Sequence, residues 1–269
     1  MGLIFDENMA RLYDTWYHSS EGQAIDRSIE ALILSLLEPR PGERVLDIGC
    51  GAGNHLLNLG RLGLDVSGID ASPYVIDRAR DRLGHRCSLK VGTAEDLPYE
   101  DNEFDLAVLI NTLEFLNDPL QALREAGRVV NRRIFIGVIN SLSWNGLLKK
   151  IRGCFKDTLF SRATFFNLWQ VKSLVMNAYG RVPISWGCIQ IPPPLVDKVN
   201  PFSHSSRGRP SPFGSFLGLS ATMVYEVRTK NLPLQVRLKK TGETLIGAKT
   251  LQDLNCSQGV EQHETGLSV

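Results

Sequence analysis

The chain has 269 residues, of which 43% are hydrophobic and 22% charged, with a formal net charge of +1 at pH 7. That length holds one large α/β domain with appendages, or two small domains. A charge balance so near zero offers no global field to polyphosphate or an acidic membrane surface, which counts against a dedicated nucleic-acid binder. Cys50, Cys87, Cys154, Cys188 and Cys256 are scattered with no C-x-x-C pair. This pattern reads as reduced thiols, with neither a disulfide framework nor a metal site expected.

The first residues, MGLIFDENMARLYD, carry Asp6 and Glu7 and lack the apolar core of a signal peptide. Gly2 is followed at position 6 by Asp, where N-myristoylation asks for Ser or Thr. No apolar run approaches the roughly 20 residues that span a bilayer. No transmembrane segment is expected, and the expected location is cytoplasmic. Met9, Leu12, Tyr13, Trp16 and Tyr17 recur at helical spacing, and SIEALILSLLE (28–38) is a second amphipathic helix.

From Glu43 onward strands and helices alternate. Pro41-Gly42 launches the strand ERVLDIG (43–49), and LDVSGID (64–70) is a second strand ending on an acid. SPYVIDRARDRLG is a helix with Ser72 as N-cap, Pro73 at the first position and Gly84 past the end. SLKVGT (88–93) and FDLAVLI (104–110) are the third and fourth strands. DPLQALREAGRVV (118–130) is a helix capped by Asp118, and RRIFIGVIN (132–140) is strand five. Apolar strands alternating with helices predict a parallel sheet covered on both faces. Residues 163–180 read as a helix closing at Gly180, and 181–190 with 219–228 as a strand pair. The Pro-, Ser- and Gly-rich stretch between them reads as a long loop, 191–218, in which HSSRGRP reads as solvated, the alternative being a basic lid that faces substrate. Residues 229–269 form a polar tail expected to be partly disordered.

The glycines after strand one decide among nucleotide loops. No lysine follows them, which excludes a P-loop. The third glycine of a dinucleotide fingerprint would fall on Asn54, which excludes that pattern. What remains is D-x-G-x-G-x-G: Asp47, Gly49, Gly51, Gly53, with Cys50 inside the loop. With GLDVSGIDASPYVIDRAR and VGTAEDLPYEDNEFDLAVLINTLEFLNDP, this segment resembles the class I S-adenosyl-L-methionine (SAM)-dependent methyltransferases, specifically the type 11 and ubiquinone/menaquinone-methyltransferase-like subgroup. The resemblance covers residues from about 10 to 140.

The resemblance implies SAM as cofactor. Asp47, Gly49, Cys50, Gly51 and Gly53 would form the loop, and Asp70 with Ala71 would meet the ribose. Thr93, Ala94 and Glu95, with Asp96 next, would lie at the adenine, and Asn111 beneath the sulfonium. Physical chemistry agrees with this assignment. SAM is a zwitterion with a sulfonium and needs no phosphate cradle, glycine lets backbone approach it closely, and an acid such as Asp70 can take both ribose hydroxyls. NTLE at the end of strand four lacks the prolines of base N-methyltransferases, so DNA is not an expected substrate. Similar enzymes carry a Y-D-x-W-[FY] segment that folds over the cofactor, so Tyr13 and Trp16 would shield the sulfonium. The alternative is a helix docked as core. His18 and His55 are further candidates, although each also reads as a surface or cap histidine. For the catalytic role only Tyr13 and His18 stand forward, since alignment and desolvation suffice for methyl transfer.

The expected architecture is therefore a Rossmann-like α/β fold. It has a seven-stranded, mostly parallel sheet with helices on both faces, an N-terminal helical lid and an antiparallel C-terminal strand pair. Residues 1–40 would be a helical cap and 41–228 the methyltransferase domain. The expected activity is methyl transfer to a small-molecule or lipid-like acceptor. The alternatives are a protein or RNA methyltransferase, or a SAM-binding relative without activity.

Overall fold

The computed structural model describes residues 17–143, 163–190 and 212–223, together with Glu7 and Thr15. In chain order these form α1 (Ser20–Leu37), β1 (Arg44–Ile48), α2 (Asn54–Arg61), β2 (Asp65–Asp70), α3 (Pro73–Leu83) and β3 (Ser88–Val91). There follow β4 (Phe104–Ile110), α4 (Pro119–Val129), β5 (Val130–Ile139), α5 (Leu168–Tyr179), β6 (Ile184–Ile189) and β7 (Phe216–Thr222). One seven-stranded sheet runs in the order β3-β2-β1-β4-β5-β7-β6. The strands from β3 to β5 pair in parallel, whereas β7 is antiparallel to both β5 and β6.

The central strands are predominantly apolar because both faces are covered. In β4, Leu106, Val108 and Ile110 pack toward α1, α2 and α3, while Ala107 and Leu109 pack toward α4 and α5. Strand geometry forces this alternation, since successive side chains point to opposite faces. Each fully buried Leu, Ile or Val contributes roughly 1.5–3 kcal/mol relative to exposure.

The helix ends follow local chemistry. Ser72 caps α3 by accepting from Val75 N at 3.5 Å, and Asp118 caps α4 by accepting from Gln121 N at 2.9 Å. α1 begins eight residues before the expected 28, because Ser19 Oγ accepts from Gly22 N at 3.0 Å and starts the helix there. α5 starts at Leu168 rather than 163. Asn167 and Gln170 form a reciprocal capping box, with bonds of 3.0 and 2.9 Å. The preceding ATFF instead runs beside the end of β5, where Phe166 bridges to Asn140.

β7 starts at Phe216, three residues earlier than expected, because Phe216 and Leu217 are buried and continue the ladder with β5. Gly218 disguised it as loop. A Cβ at Gly218 would stand 2.7 Å from Leu32 on α1 and 2.9 Å from the Phe135 ring. The glycine is there so that helix, strand and ring can close together. The aromatic stripe from Met9 to Trp16, the greater part of the 191–218 loop and the 229–269 tail lie outside the described residues.

Overpacking a core position typically costs about 1–3 kcal/mol. Gly218→Ala is expected to lose stability in that range in denaturant unfolding. A loss within error would show that α1 does not press on this strand.

Candidate functional site

The strand order reverses between β1 and β4, so the connections leaving these neighbours diverge and open a crevice beyond their carboxyl ends. Most of the residues singled out in the sequence converge there. Gly49 N and Cys50 N both donate to Ile69 O, at 2.8 and 3.1 Å, bending the chain off β1 and across the end of β2. Gly49 has φ +79°, and a Cβ on it would lie 2.5 Å from the Thr112 side chain. Thr112 Oγ1 in turn donates to Ile48 O at 2.9 Å, fastening the turn after β4 to the end of β1. Gly51 has φ +52° and faces open space, with no atom beyond its two chain neighbours within 4 Å of where its Cβ would be. The Cys50 side chain turns inward, joining the core under β1 and β2, so only its backbone belongs to the loop.

Two acids flank this turn. Asp70 accepts from Gly51 N through Oδ2 at 3.0 Å and from Ser72 N through Oδ1 at 2.9 Å. It thereby holds the glycine turn and the start of α3 in one grip. Burial raises its pKa, and these backbone bonds oppose the rise. Asp47 is 1% exposed, and its Oδ2 has no partner. Burial, with the negative charge of Asp70 second, pushes its pKa up to about 8.

The turn after β3 brings Thr93 and Ala94 alongside, with Gly92 N donating to Asp70 O at 3.0 Å. Ala94 is buried, Glu95 half-buried, and Thr93 and Asp96 exposed, while Ala71 is half-buried beside Asp70. Asn111, directly after β4, takes φ +52°, a conformation that few residues other than glycine adopt. Its amide N donates to Gly137 O at 2.8 Å, and its side-chain Oδ1 is buried without a partner.

Glu114 was missed in the sequence, where NTLE served only to exclude DNA. It is 2% exposed; Oε1 accepts from Ile139 N at 2.8 Å, and Oε2 has no partner. Burial pushes its pKa up to about 7.

His55 stands in the first turn of α2, where its sequence position put it, but it is not a surface histidine. Its side chain is 14% exposed, and Nδ1 lies 3.6 Å from Asp26 Oδ1 on α1. Asp26 Oδ2 accepts from Tyr17 OH at 2.6 Å. Burial pushes the His55 pKa down, against the pull of Asp26. Arg82 donates to Asn54 Oδ1 beside this group. Such long-range pairs leave no signal in sequence spacing. His18 is exposed and meets the Tyr17 ring edge-on at 6.0 Å. Tyr13 and Trp16 lie outside the described residues.

The methyltransferase-domain family matches residues 46–133, the stretch that builds β1 through β5. An uncharacterised protein of Methanocaldococcus jannaschii is 33% identical over 60% of this chain and 75% of its own length. Residues 46–133 belong to that methyltransferase-domain family. The ubiquinone biosynthesis O-methyltransferase of Azorhizobium caulinodans is 38% identical over 35% of this chain and 39% of its own length. A Thermotoga maritima SAM-dependent methyltransferase, described as a possible histamine N-methyltransferase, shares the fold with a TM-score of 0.60. It is 22% identical and covers 80% of this chain and 96% of its own. The chain spans between 32% and 54% of the length of the first curated relatives it matches, so its acceptor does not follow from theirs. No helix among the described residues is long and apolar enough to cross a membrane.

The family's cofactor is SAM, and the residues present fit it. An orphaned, buried acid oxygen on Asp47 suits a hydrogen-bond donor. The space before Gly51 accommodates a ligand that a side chain would obstruct. The carboxylate of Asp70 keeps lone pairs for hydroxyls.

Asp47 and Glu114 also set a pH dependence. Both pKa values are raised on folding, so the folded state keeps protons that the unfolded chain releases above about pH 4. The stability they add is complete below that and is lost as pH rises through about 7 to 8. His55, with its pKa lowered, acts in the opposite sense as pH falls. Melting temperature measured across pH should fall between about pH 6 and 8.5 in the ligand-free protein. Asp47→Asn and Glu114→Gln should each flatten that fall; equal slopes in wild type and both variants would contradict these assignments.

Proposed function

We propose that the protein transfers the methyl group of SAM to a small-molecule or lipid-like acceptor, with the crevice between the ends of β1, β2 and β4 as its site. The observation that carries this is the pairing of open space before Gly51 with the orphaned carboxyl oxygen of Asp47 on the strand that leads into the same turn. When bound, SAM supplies an electrophilic methyl group on a sulfonium. In this reading Asp70 takes the ribose hydroxyls on lone pairs that its two backbone bonds leave free. Asp47 attracts the cofactor's cationic end. Gly49, Gly51 and Gly53 let the backbone approach, and Cys50 contributes only its main chain. Ala71, Thr93, Ala94 and Glu95 border the nucleoside, and Asn111 faces the reacting end.

Tyr13 and Trp16 cover the cofactor in this proposal, and Tyr17, buried against Asp26, anchors the chain that leads to them. His18, exposed at the surface, is assigned no proton transfer in this reading. The likeness to a ubiquinone-biosynthesis O-methyltransferase supports a small or lipid-like acceptor.

Calorimetry tests the cofactor assignment. SAM and S-adenosylhomocysteine should bind, and NAD should not. Asp70→Ala should weaken SAM binding by about 10- to 100-fold, as expected for lost hydrogen bonds to a charged group of roughly 1.5–3 kcal/mol. Gly51→Ala should also weaken it, while costing the fold only about 1–2 kcal/mol for a left-handed alanine. Stabilisation by NAD without binding of SAM would overturn the proposal, and wild-type affinity in Asp70→Ala would place the ribose elsewhere.

A further inference from the structure

We propose that Asn111 and Glu114 form the acceptor subsite and that the acceptor is a nitrogen nucleophile bearing N–H, such as a primary amine. This rests on the methyltransferase reading above and specifies its substrate class.

Both residues belong to the turn that leaves β4 at the crevice. Thr112 between them is bonded to Ile48 O, so the turn is fixed against the end of β1. Glu114 is held from two further sides: Ile139 N donates to its Oε1, and Thr164 N donates to its main-chain O at 2.8 Å. It cannot swing out to water without breaking these bonds. Its second carboxyl oxygen is nevertheless buried and unpartnered, as is Asn111 Oδ1 three residues earlier. A buried polar atom left without a partner is costly, and native structures keep few of them. Two on one turn, at the ligand-binding edge of the sheet, point to a ligand that completes them.

The chemistry of the two atoms selects that ligand. Asn111 Oδ1 is an acceptor, and so is Glu114 Oε2 once the carboxyl is ionised, so a ligand that completes both in that state must donate hydrogens. A primary amine offers two N–H groups and still has a lone pair to direct at the methyl carbon. A hydroxyl offers one O–H and would leave one oxygen orphaned. A carboxylate or thiolate offers none and would meet the Glu114 charge.

In the transfer, the nitrogen lone pair forms the new N–C bond as the C–S bond breaks, and the electron pair of that bond stays on sulfur. The resulting ammonium gives one proton to the ionised Glu114 carboxylate through Oε2, leaving the methylated amine neutral, and the carboxyl releases that proton to water entering the crevice once the product has left. Burial that brings the carboxyl near neutrality suits that role.

The test uses the full-length protein labelled with ¹³C in glutamate side chains, its Glu114 carboxyl resonance assigned by its loss in Glu114→Gln. S-adenosylhomocysteine is added first, and its binding is read separately by calorimetry. Absence of that binding sinks the methyltransferase reading, and this proposal with it. Methylamine and methanol are then titrated in parallel at constant ionic strength, each being small enough to enter whatever carbon frame the true acceptor has. Methylamine should shift the Glu114 resonance saturably, and methanol should not. No shift with either, or equal shifts with both, overturns the proposal.

A second arm incubates the protein with methyl-labelled SAM and a metabolite extract. The labelled product should be an N-methyl compound, and Glu114→Gln should lower kcat about 100-fold with the KM for SAM unchanged. An O-methyl product, the transfer named for the Azorhizobium relative, would overturn the nitrogen assignment. Unchanged kcat in Glu114→Gln would remove Glu114 from the subsite.

Discussion

The carboxylate of Asp70 holds the site in shape. One of its oxygens takes the amide of Gly51 and the other the amide of Ser72, so a single side chain at the end of β2 fixes both the glycine turn and the first residues of α3. An anion there loses hydration on burial, and backbone N–H bonds return part of that loss. Removing it would release the turn over β1 as well as any ligand bond, so loop geometry and binding are coupled through one group. The turn can accept this hold because Gly49, Gly51 and Gly53 all have positive φ, between +52° and +79°.

The carboxyl edge of the sheet has a consistent chemical character. Asp47, Asn111 and Glu114 each present an unpartnered oxygen, and all three are buried on β1 or on the turn after β4. Such an edge favours donors and cations and disfavours anions. A sulfonium zwitterion suits it better than a pyrophosphate, which accords with the absence of any lysine or arginine within the loop 49–53. The acids are kept near neutrality by burial, so an approaching cation gains attraction as it draws them into the charged form.

The fold was largely legible because its signals are local. Apolar runs gave the strands, Ser72-Pro73 and Asp118-Pro119 gave two helix starts, and the spacing from Asp47 to Gly53 gave the turn. Asp70 was legible from its place at a strand end. Elements set by distant packing were not legible. Gly218 looked like loop until Leu32 and Phe135 closed on it. The grouping of Tyr17, Asp26 and His55 joins three chain segments with no common spacing. Glu114 escaped for a different reason: a lone glutamate in a short turn looks solvated, and only the strand end at Ile139 and the segment at Thr164 bury it.

The central claim is that the cofactor lies across the glycine turn with its ribose on Asp70. The most direct measurement is a crystal structure of the full chain grown with S-adenosylhomocysteine. The account predicts density in the crevice, with ribose hydroxyls on the Asp70 carboxylate, the amino-acid end toward Asp47, and no side chain between the ligand and Gly51. Density for the nucleoside anywhere else in the fold, or a ribose that does not touch Asp70, would contradict it.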